Sequence, residues 1–154
     1  MSYVDGFVVP VPKANLDDYK KLARTASQVW LEHGALEYRE WIADDVKPGK
    51  LTSFPQSVDL KDDETVVFAW VVYESRAHRN AVNDKVMKDP RMKNDPSNWP
   101  FDGQRMIFGG FAPIVEEGAG GKMGYADGYL VPVPAANKDA YRAMAAKAAA
   151  VFKE

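Results

Sequence analysis

The feature that most constrains the fold of this chain is an internal repeat. Residues 1–32 and 123–154 align without a gap, and about half of the aligned positions carry the same amino acid. Most of the remaining pairs exchange similar side chains, for example Phe7 with Tyr129. Self-similarity over this length indicates one structural unit followed by the beginning of a second copy of it.

The repeat predicts three parts in the chain. Residues 1–117 are expected to form a first domain, residues 118–122 a glycine-rich linker, and residues 123–154 the first strand and helix of a second copy. The second copy stops inside its helix, where the first copy continues into a turn. A truncated tandem protein fits this pattern, and we expect one.

Hydrophobic periodicity in the first domain predicts the element order β-α-β-β-α-β. One helix is expected to begin after Asn15 and to end at Gly34, and a second to lie between Ser75 and Asp89. The strands are expected over residues 3–11, 36–43, 65–73 and 105–114.

The strands differ in character. Residues 65–73 are apolar on both faces, which is typical of a central strand, whereas the charged residues 36–43 are typical of an edge strand. Pro10 and Pro12 are expected to end the first strand, because proline lacks the amide proton that a sheet ladder uses.

This order is that of an α+β, ferredoxin-like domain, in which two helices cover one face of a four-stranded antiparallel sheet. The other face of the sheet stays apolar and must be buried against something. A second copy supplies a matching face, so we expect two chains to form a dimeric α/β-barrel. Residues 123–154 are expected either to pack within their own chain or to swap into the partner chain, since the linker is a permissive hinge.

Composition disfavours nucleic-acid binding and excludes several kinds of site. The net charge of −2 leaves no basic surplus for nucleic-acid binding, and the absence of cysteine excludes disulfides, thiolate catalysis and thiolate metal sites. No apolar run approaches the roughly 18 residues that span a bilayer, and the first residues lack the features of a signal peptide. We therefore expect a soluble cytoplasmic protein.

Four segments carry a family resemblance. They are residues 3–12 (YVDGFVVPVP), 44–55 (DDVKPGKLTSFP), 86–92 (VMKDPRM) and 100–111 (PFDGQRMIFGGF). Together they resemble the DUF1428 family of bacterial proteins of unknown function. The resemblance covers residues 1–117 and again 123–154, and it implies a dimeric α/β-barrel fold. It implies no established activity, so no catalytic residue is carried over.

One candidate site is a basic cluster, Arg76, His78 and Arg79, expected in the first turn of the second helix. Cationic groups at a helix N-terminus oppose the helix dipole, so either a bound anion or partner acids from the sheet are expected there. Asp5, an acid in an otherwise apolar strand, is either a candidate acid or base or holds a structural hydrogen bond.

Two long connections, residues 44–64 and 88–104, are candidate functional loops. Arg91, Asp102 and Arg105 flank the second loop, where they either hold it by ion pairs or form the rim of a pocket.

Three further residues complete the candidate set. His33 either stabilises the end of the first helix or has a functional role. Trp41 and Tyr73, like Trp70 and Trp99, either line a barrel pocket or belong to the core.

No metal site is expected. The acidic runs at residues 44–45 and 62–64 lack the spacing of a calcium loop, and the two histidines do not form a helical pair. The sequence names no cofactor.

Three functions remain open. The first is a small-molecule-binding barrel, with or without an enzymatic role. The second is a non-catalytic interaction or stress-related module. The third is association with RNA, which the label of some family members suggests and the acidic charge does not support.

Overall fold

The computed structural model describes residues 2–118 and 120–153, which divide into two units between Ala112 and Pro113. The first unit contains an antiparallel sheet with helices, and the second contains a helix. The chain is therefore an α+β protein, as the periodicity predicts. None of the described helices has the length and the apolar character needed to cross a membrane.

The elements of the first unit follow the predicted order, with one addition. The additional element is a short helix, α2, in the first long connection. The strands are β1 (Tyr3–Pro12), β2 (Glu37–Ile42), β3 (Glu64–Tyr73) and β4 (Ile107–Phe111), and the helices are α1 (Leu16–Glu32), α2 (Phe54–Ser57) and α3 (Arg76–Lys88).

The strands lie in the order β2-β3-β1-β4, and each strand is antiparallel to its neighbours. The prediction that the apolar residues 65–73 form a central strand is confirmed, since β3 pairs with both β1 and β2. The prediction that residues 36–43 form an edge strand is also confirmed.

The expected end of β1 at its prolines agrees with the structure. β1 continues through Pro10, which pairs with Val66 of β3, and ends at Pro12. β4 pairs with β1 only from Val4 to Val8. Beyond Val8, no neighbour on the β4 side requires an amide proton from β1, so the prolines leave no hydrogen bond of the ladder unmade.

Local sequence sets both ends of α1. Asp17 and Asp18 lie in its first turn, where the helix dipole favours acidic side chains. Asn15 is at the N-cap position but makes no capping hydrogen bond, because its side-chain amide donates instead to the carbonyl of Pro100, 3.4 Å away. Gly34 follows the helix with φ of +115°, a conformation that glycine adopts at little cost.

The two faces of the sheet have different covers. α1 and α3 cover one face, and their core contacts include Val29, Tyr73, Val82 and Val86. On the other face, the loop that contains α2 packs Val58 against Val8 and Val66, and Phe54 and Leu60 join this cluster. The chain's own α2 loop therefore buries one end of this apolar face, which was expected to need a cover.

The rest of that face carries aromatic side chains. Trp41 of β2 and Trp70 of β3 lie with ring centroids 5.4 Å apart, and Phe111 of β4 is 54% exposed. The alternation along the strands places these side chains on the face opposite to α1 and α3.

The second unit repeats the entry into α1 but not the strand. A turn at Ala135–Asn137 leads into helix α4 (Lys138–Lys153), and the matching turn at Lys13–Asn15 leads into α1. Even the prolines before the turns agree, with φ and ψ of −56° and 134° in the second copy and −56° and 132° in the first. Residues 125–134, which correspond to β1, are not in a strand.

An arginine fork joins the second long connection to the beginning of β3. Arg105 donates two hydrogen bonds to Glu64, at 2.7 and 2.5 Å, and a third to Asp102 at 2.8 Å. The Glu64 side chain is 3% exposed, and the hydrogen bonds from Arg105 are the main cause of its lowered pKa. Arg105 and Asp102 thus hold the loop by ion pairs, which is one of the two roles predicted for them.

We expect Arg105→Ala to lower the free energy of unfolding by about 3 kcal/mol, because it leaves the buried Glu64 carboxylate without its counter-charge. Chemical denaturation at pH 7 measures this change. Lys20→Ala, on the exposed face of α1, is the matched control and should change stability by less than about 0.5 kcal/mol. A loss from Arg105→Ala no larger than that of the control would contradict the role of the ion pair.

Candidate functional site

A cavity of about 200 Å³ lies between the sheet and α1. The alternating side chains of β1 and β3 form its floor, with Phe7 and Val9 beside Ala69 and Val71. α1 contributes one side, from Tyr19 to Trp30. The segment between α3 and β4 closes the cavity with Met92, Asn94, Trp99, Phe101 and Met106.

The second long connection is therefore part of the site. Trp99 stacks on Phe101 with ring centroids 5.2 Å apart, and Phe101 meets Tyr19 edge to face at 5.8 Å. These contacts place two rings from the loop against α1. The expectation that a long ordered loop has a functional position fits this arrangement.

The polar part of the cavity is centred on Glu40 of β2. Its carboxylate accepts a hydrogen bond from the hydroxyl of Tyr38 at 2.6 Å on one oxygen, and one from the hydroxyl of Tyr19 on the other. Among the residues that line the cavity, Glu40 is the only one with a charged side chain. The register of β2 on β3 turns Tyr38 and Glu40 to the same face as Val71 and Ala69.

Both tyrosines stay protonated in this environment. Burial, followed by the charge of the Glu40 carboxylate and the hydrogen bond to it, raises the pKa of Tyr19 and Tyr38 far above the usual value for tyrosine. The hydroxyl groups therefore act as donors to Glu40. The arrangement places a carboxylate beside an apolar space. Two hydrogen bonds fix the position of this carboxylate, and it can still accept further hydrogen bonds.

Of the candidate residues named from the sequence, Trp99 lines this cavity and the others do not. Those other candidates lie elsewhere in the first unit. Asp102 and Arg105 belong to the ion pairs of Glu64 described above, and Trp41 lies on the opposite face of the sheet beside Trp70.

Asp5, Tyr73 and Arg79 come together near one end of the sheet. Asp5 is 7% exposed, and its carboxylate lies 3.4 Å from Nε of Arg79. Arg79 also donates to the hydroxyl of Tyr3 at 3.1 Å, and Tyr73 is held in the core by hydrogen bonds with Trp30 and Asn83. An acid from the sheet thus faces the basic helix terminus, which is one of the two alternatives predicted for it.

The other members of the basic cluster do not complete an anion site. The backbone amide of Glu74 donates to Nδ1 of His78 at 3.0 Å. Arg76 is exposed at the beginning of α3, and Ser75 caps the helix through a hydrogen bond from the His78 amide. Nδ1 of His78 is therefore bound by the backbone next to its own helix.

His33 and Arg91 meet at a buried carboxylate. Asp89 is 9% exposed and lies 2.9 Å from Nε2 of His33 and 2.8 Å from the Arg91 guanidinium. Arg91 also pairs with Glu32 at 2.6 Å. The cluster joins the end of α1 to the residues that follow α3, so both side chains hold the loop.

Sequence reasoning missed the carboxylate of the cavity and the two tyrosines that donate to it. Helical spacing places Tyr19 on the apolar face of α1, and the charges of residues 36–43 indicate only an edge strand. A signal was available, because Tyr38, Glu40 and Ile42 alternate on one face of that strand. Nothing in the sequence shows that Tyr19 lies opposite them.

Among residues 2–118 and 120–153, no group of three or more histidine, aspartate and glutamate side chains is placed to hold a metal ion. The acidic runs at residues 44–45 and 62–64 contribute to no such cluster.

Comparison with known protein families gives a match over residues 2–103 and 124–154 to the family described as a protein of unknown function, DUF1428. The chain belongs to the DUF1428 family. The resemblance inferred from the four sequence segments is thereby confirmed.

Relatives of this DUF1428 protein occur in enteric bacteria. The protein of Escherichia coli K12 described as uncharacterized protein YbaA is 48% identical over 117 residues, which are 76% of this chain and 100% of the relative. A protein of the same description from Shigella flexneri matches with the same identity and coverage. These descriptions state no activity, so any function assigned to the site rests on its geometry.

Asp89 gives this DUF1428 protein an acid-sensitive contact. Hydrogen bonds from Arg91, and secondly from His33, hold the pKa of Asp89 well below its usual value. Such a group stabilises the fold above its unfolded-state pKa of about 4, and this contribution is lost as the pH falls towards the folded-state pKa. We expect Asp89→Asn to destabilise the protein at pH 7, with a difference from wild type that shrinks below about pH 4.

Urea unfolding at several pH values measures this difference. Asp62→Asn removes an exposed carboxylate and should follow the wild-type profile at every pH. An Asp89→Asn variant that loses as much stability at about pH 2.5 as at pH 7 would show that the ion pair has no such role.

Proposed function

We propose that the first unit binds a small organic molecule in the cavity between the sheet and α1. The observation that carries this proposal is the combination of an apolar cavity of about 200 Å³ with a single carboxylate, Glu40, held by two tyrosine hydroxyls. Ligand sites in proteins are mostly apolar, with a few polar groups that fix the orientation of the ligand.

The size of the cavity supports a ligand with few atoms. An apolar cavity of about 150 Å³ inside a protein holds benzene. The space here is slightly larger and is lined by aromatic rings, so a single substituted ring fits it. Larger ligands would require the loop that carries Trp99 and Phe101 to move.

An enzymatic role would use the same carboxylate. Glu40 faces the space that a ligand would occupy, and a carboxylate within hydrogen-bond distance of a ligand can accept a proton from it. Tyr19 and Tyr38 would then keep the carboxylate in position by their hydrogen bonds. This role requires the binding proposed above.

We also propose that the first unit is a ferredoxin-like domain that pairs with a second copy into a dimeric α/β-barrel. The interleaved strand order β2-β3-β1-β4, with helices on one face, supports the domain type. The aromatic side chains of the opposite face support the pairing. Nε1 of Trp41 is buried and has no hydrogen-bond partner among the described residues, and a second copy could supply an acceptor.

The second copy supports a tandem origin and a swapped arrangement. The buried positions of β1 and α1 recur in residues 123–154 with the same residue at every position except one, Val8, which corresponds to Leu130. The shared residues are Asp5, Val9, Pro10, Val11, Tyr19, Ala26 and Val29, matched by Asp127, Val131, Pro132, Val133, Tyr141, Ala148 and Val151. Val151 is 68% exposed in the structure. The segment thus carries the side chains needed to occupy the β1 and α1 positions of a partner chain.

Toluene tests the cavity, because it is apolar, uncharged and small enough to enter. We expect it to raise the melting temperature of the wild-type chain by about 4 °C or more at a concentration well above its dissociation constant. Ala26→Leu should abolish this shift, because the added carbons occupy the cavity that Ala26 lines. Differential scanning calorimetry measures the shift.

Ala81→Leu makes the same substitution on the exposed face of α3 and should keep the toluene shift. Ala23→Leu also adds volume inside the cavity, and it replaces Ala26→Leu if the latter does not fold. If toluene has no effect on the wild-type chain, the proposed cavity function is wrong.

Ile107→Lys tests the association. Ile107 lies on the same face of β4 as Phe111 and is 37% exposed, so a lysine there should convert a dimer to a monomer, as sedimentation velocity would show. Phe108→Lys, on the opposite face of the same strand, should leave the dimer intact. A monomeric wild-type chain, or a dimer that tolerates Ile107→Lys, would contradict the pairing.

Hydrogen exchange of the wild-type dimer tests the swap. Slow exchange of the backbone amides of residues 125–134 would support the swap, and rapid exchange would count against it.

A further inference from the structure

The polar part of the cavity offers acceptors and no free donor at its charged centre. Each oxygen of the Glu40 carboxylate accepts one tyrosine hydroxyl, so both hydroxyl protons are already used. The remaining lone pairs of the carboxylate and of the two hydroxyl oxygens can only accept. A ligand that bonds to this part of the cavity must therefore bring a donor.

The charge of Glu40 is not neutralised by the protein. In the described part of the chain, its carboxylate has the two tyrosine hydroxyls as hydrogen-bond partners and forms no ion pair. Asp5 and Asp89 differ from Glu40 in having a counter-charge, since Asp5 faces Arg79 and Asp89 faces Arg91. A half-buried carboxylate without a counter-charge favours a cationic ligand over a neutral one and disfavours an anion.

Aromatic rings surround the same position. The ring centroid of Trp30 lies 5.9 Å from that of Tyr38. The ring centroid of Phe101 lies 5.8 Å from that of Tyr19, and Trp99 stacks on Phe101. The face of an aromatic ring attracts a cation, and indole does so most strongly. The rings also give a flat ligand a surface to pack against.

We propose that the cavity binds a small arylalkylamine in its protonated form, with the aromatic ring of the ligand between the aromatic side chains and its ammonium group donating to Glu40. This inference rests on the proposed small-molecule function and deepens it by naming the ligand class. The ammonium group supplies both the donor and the counter-charge that Glu40 lacks.

Four probes of nearly equal size separate charge from shape. They are benzylamine, which is cationic at pH 7, benzyl alcohol, which is a neutral donor, toluene, which has no polar group, and benzoate, which is an anion. Isothermal titration calorimetry on the full chain should give benzylamine the lowest dissociation constant, at least about tenfold below that of toluene, because a charge-assisted hydrogen bond adds to the ring contacts. Benzoate should bind more weakly than toluene.

Two variants test whether the charge of Glu40 causes the preference for benzylamine over toluene. Glu40→Gln keeps the shape of the side chain and removes its charge, so it should lose the tenfold preference for benzylamine and still bind toluene. Tyr38→Phe removes one hydroxyl and keeps the charge, so the preference for benzylamine should remain. Binding of toluene by each variant shows that its cavity is intact, and the comparison of the four probes on the wild-type chain needs no variant.

The outcomes distinguish this inference from the proposed function. If toluene binds and benzylamine binds no better, or if benzoate or benzyl alcohol binds best, the amine proposal is wrong while the cavity function stands. If Glu40→Gln keeps the full preference for benzylamine, Glu40 is not its cause and the proposal is wrong. If none of the four probes binds, the cavity function fails as well.

Discussion

The pairing of β1 with β3 is the constraint on which the rest of the first unit depends. The ladder runs from the pair Tyr3 and Tyr73 to the pair Pro12 and Glu64, over the whole length of both strands. Because side chains alternate along a strand, this register decides which residues face α1 and which face the other side. A shift by one residue would exchange the floor of the cavity, such as Val9, for residues such as Val8 that pack under the α2 loop.

The carboxylate of Glu40 is the one feature of the cavity that packing alone does not require. An apolar residue at this position would fill the space between sheet and helix without the cost of desolvating a charge. Edge strands do carry inward-pointing charges that discourage wrong pairing, and β2 is an edge strand. Discouraging wrong pairing does not require two buried tyrosine hydroxyls that donate to the carboxylate. A site that must keep an acceptor in one position does require such donors.

The arginines that the sequence indicates as candidate site residues form structural ion pairs. Arginine and aspartate near a long loop are visible in a sequence as potential chemistry, but Arg91 and Arg105 each use their guanidinium fork to hold a buried acid. Those ion pairs position the loop that brings Trp99 and Phe101 over the cavity. Arg91 and Arg105 therefore support the site from outside it, while most residues that line the cavity resemble ordinary core positions.

The sequence by itself determined the local structure. The central and edge character of β3 and β2, the serine cap of α3 and the glycine after α1 follow from patterns within a few residues, and so does the turn that enters α1 and α4 in the same way. These features are set by backbone preferences and by alternation, which act over short distances along the chain.

The tertiary structure decided the rest. Tyr19 meets Glu40 only because α1 packs across β2. Residues 125–134 closely match the sequence of β1 but do not form a strand. The reason is that a strand exists only where a neighbouring strand accepts and donates its hydrogen bonds.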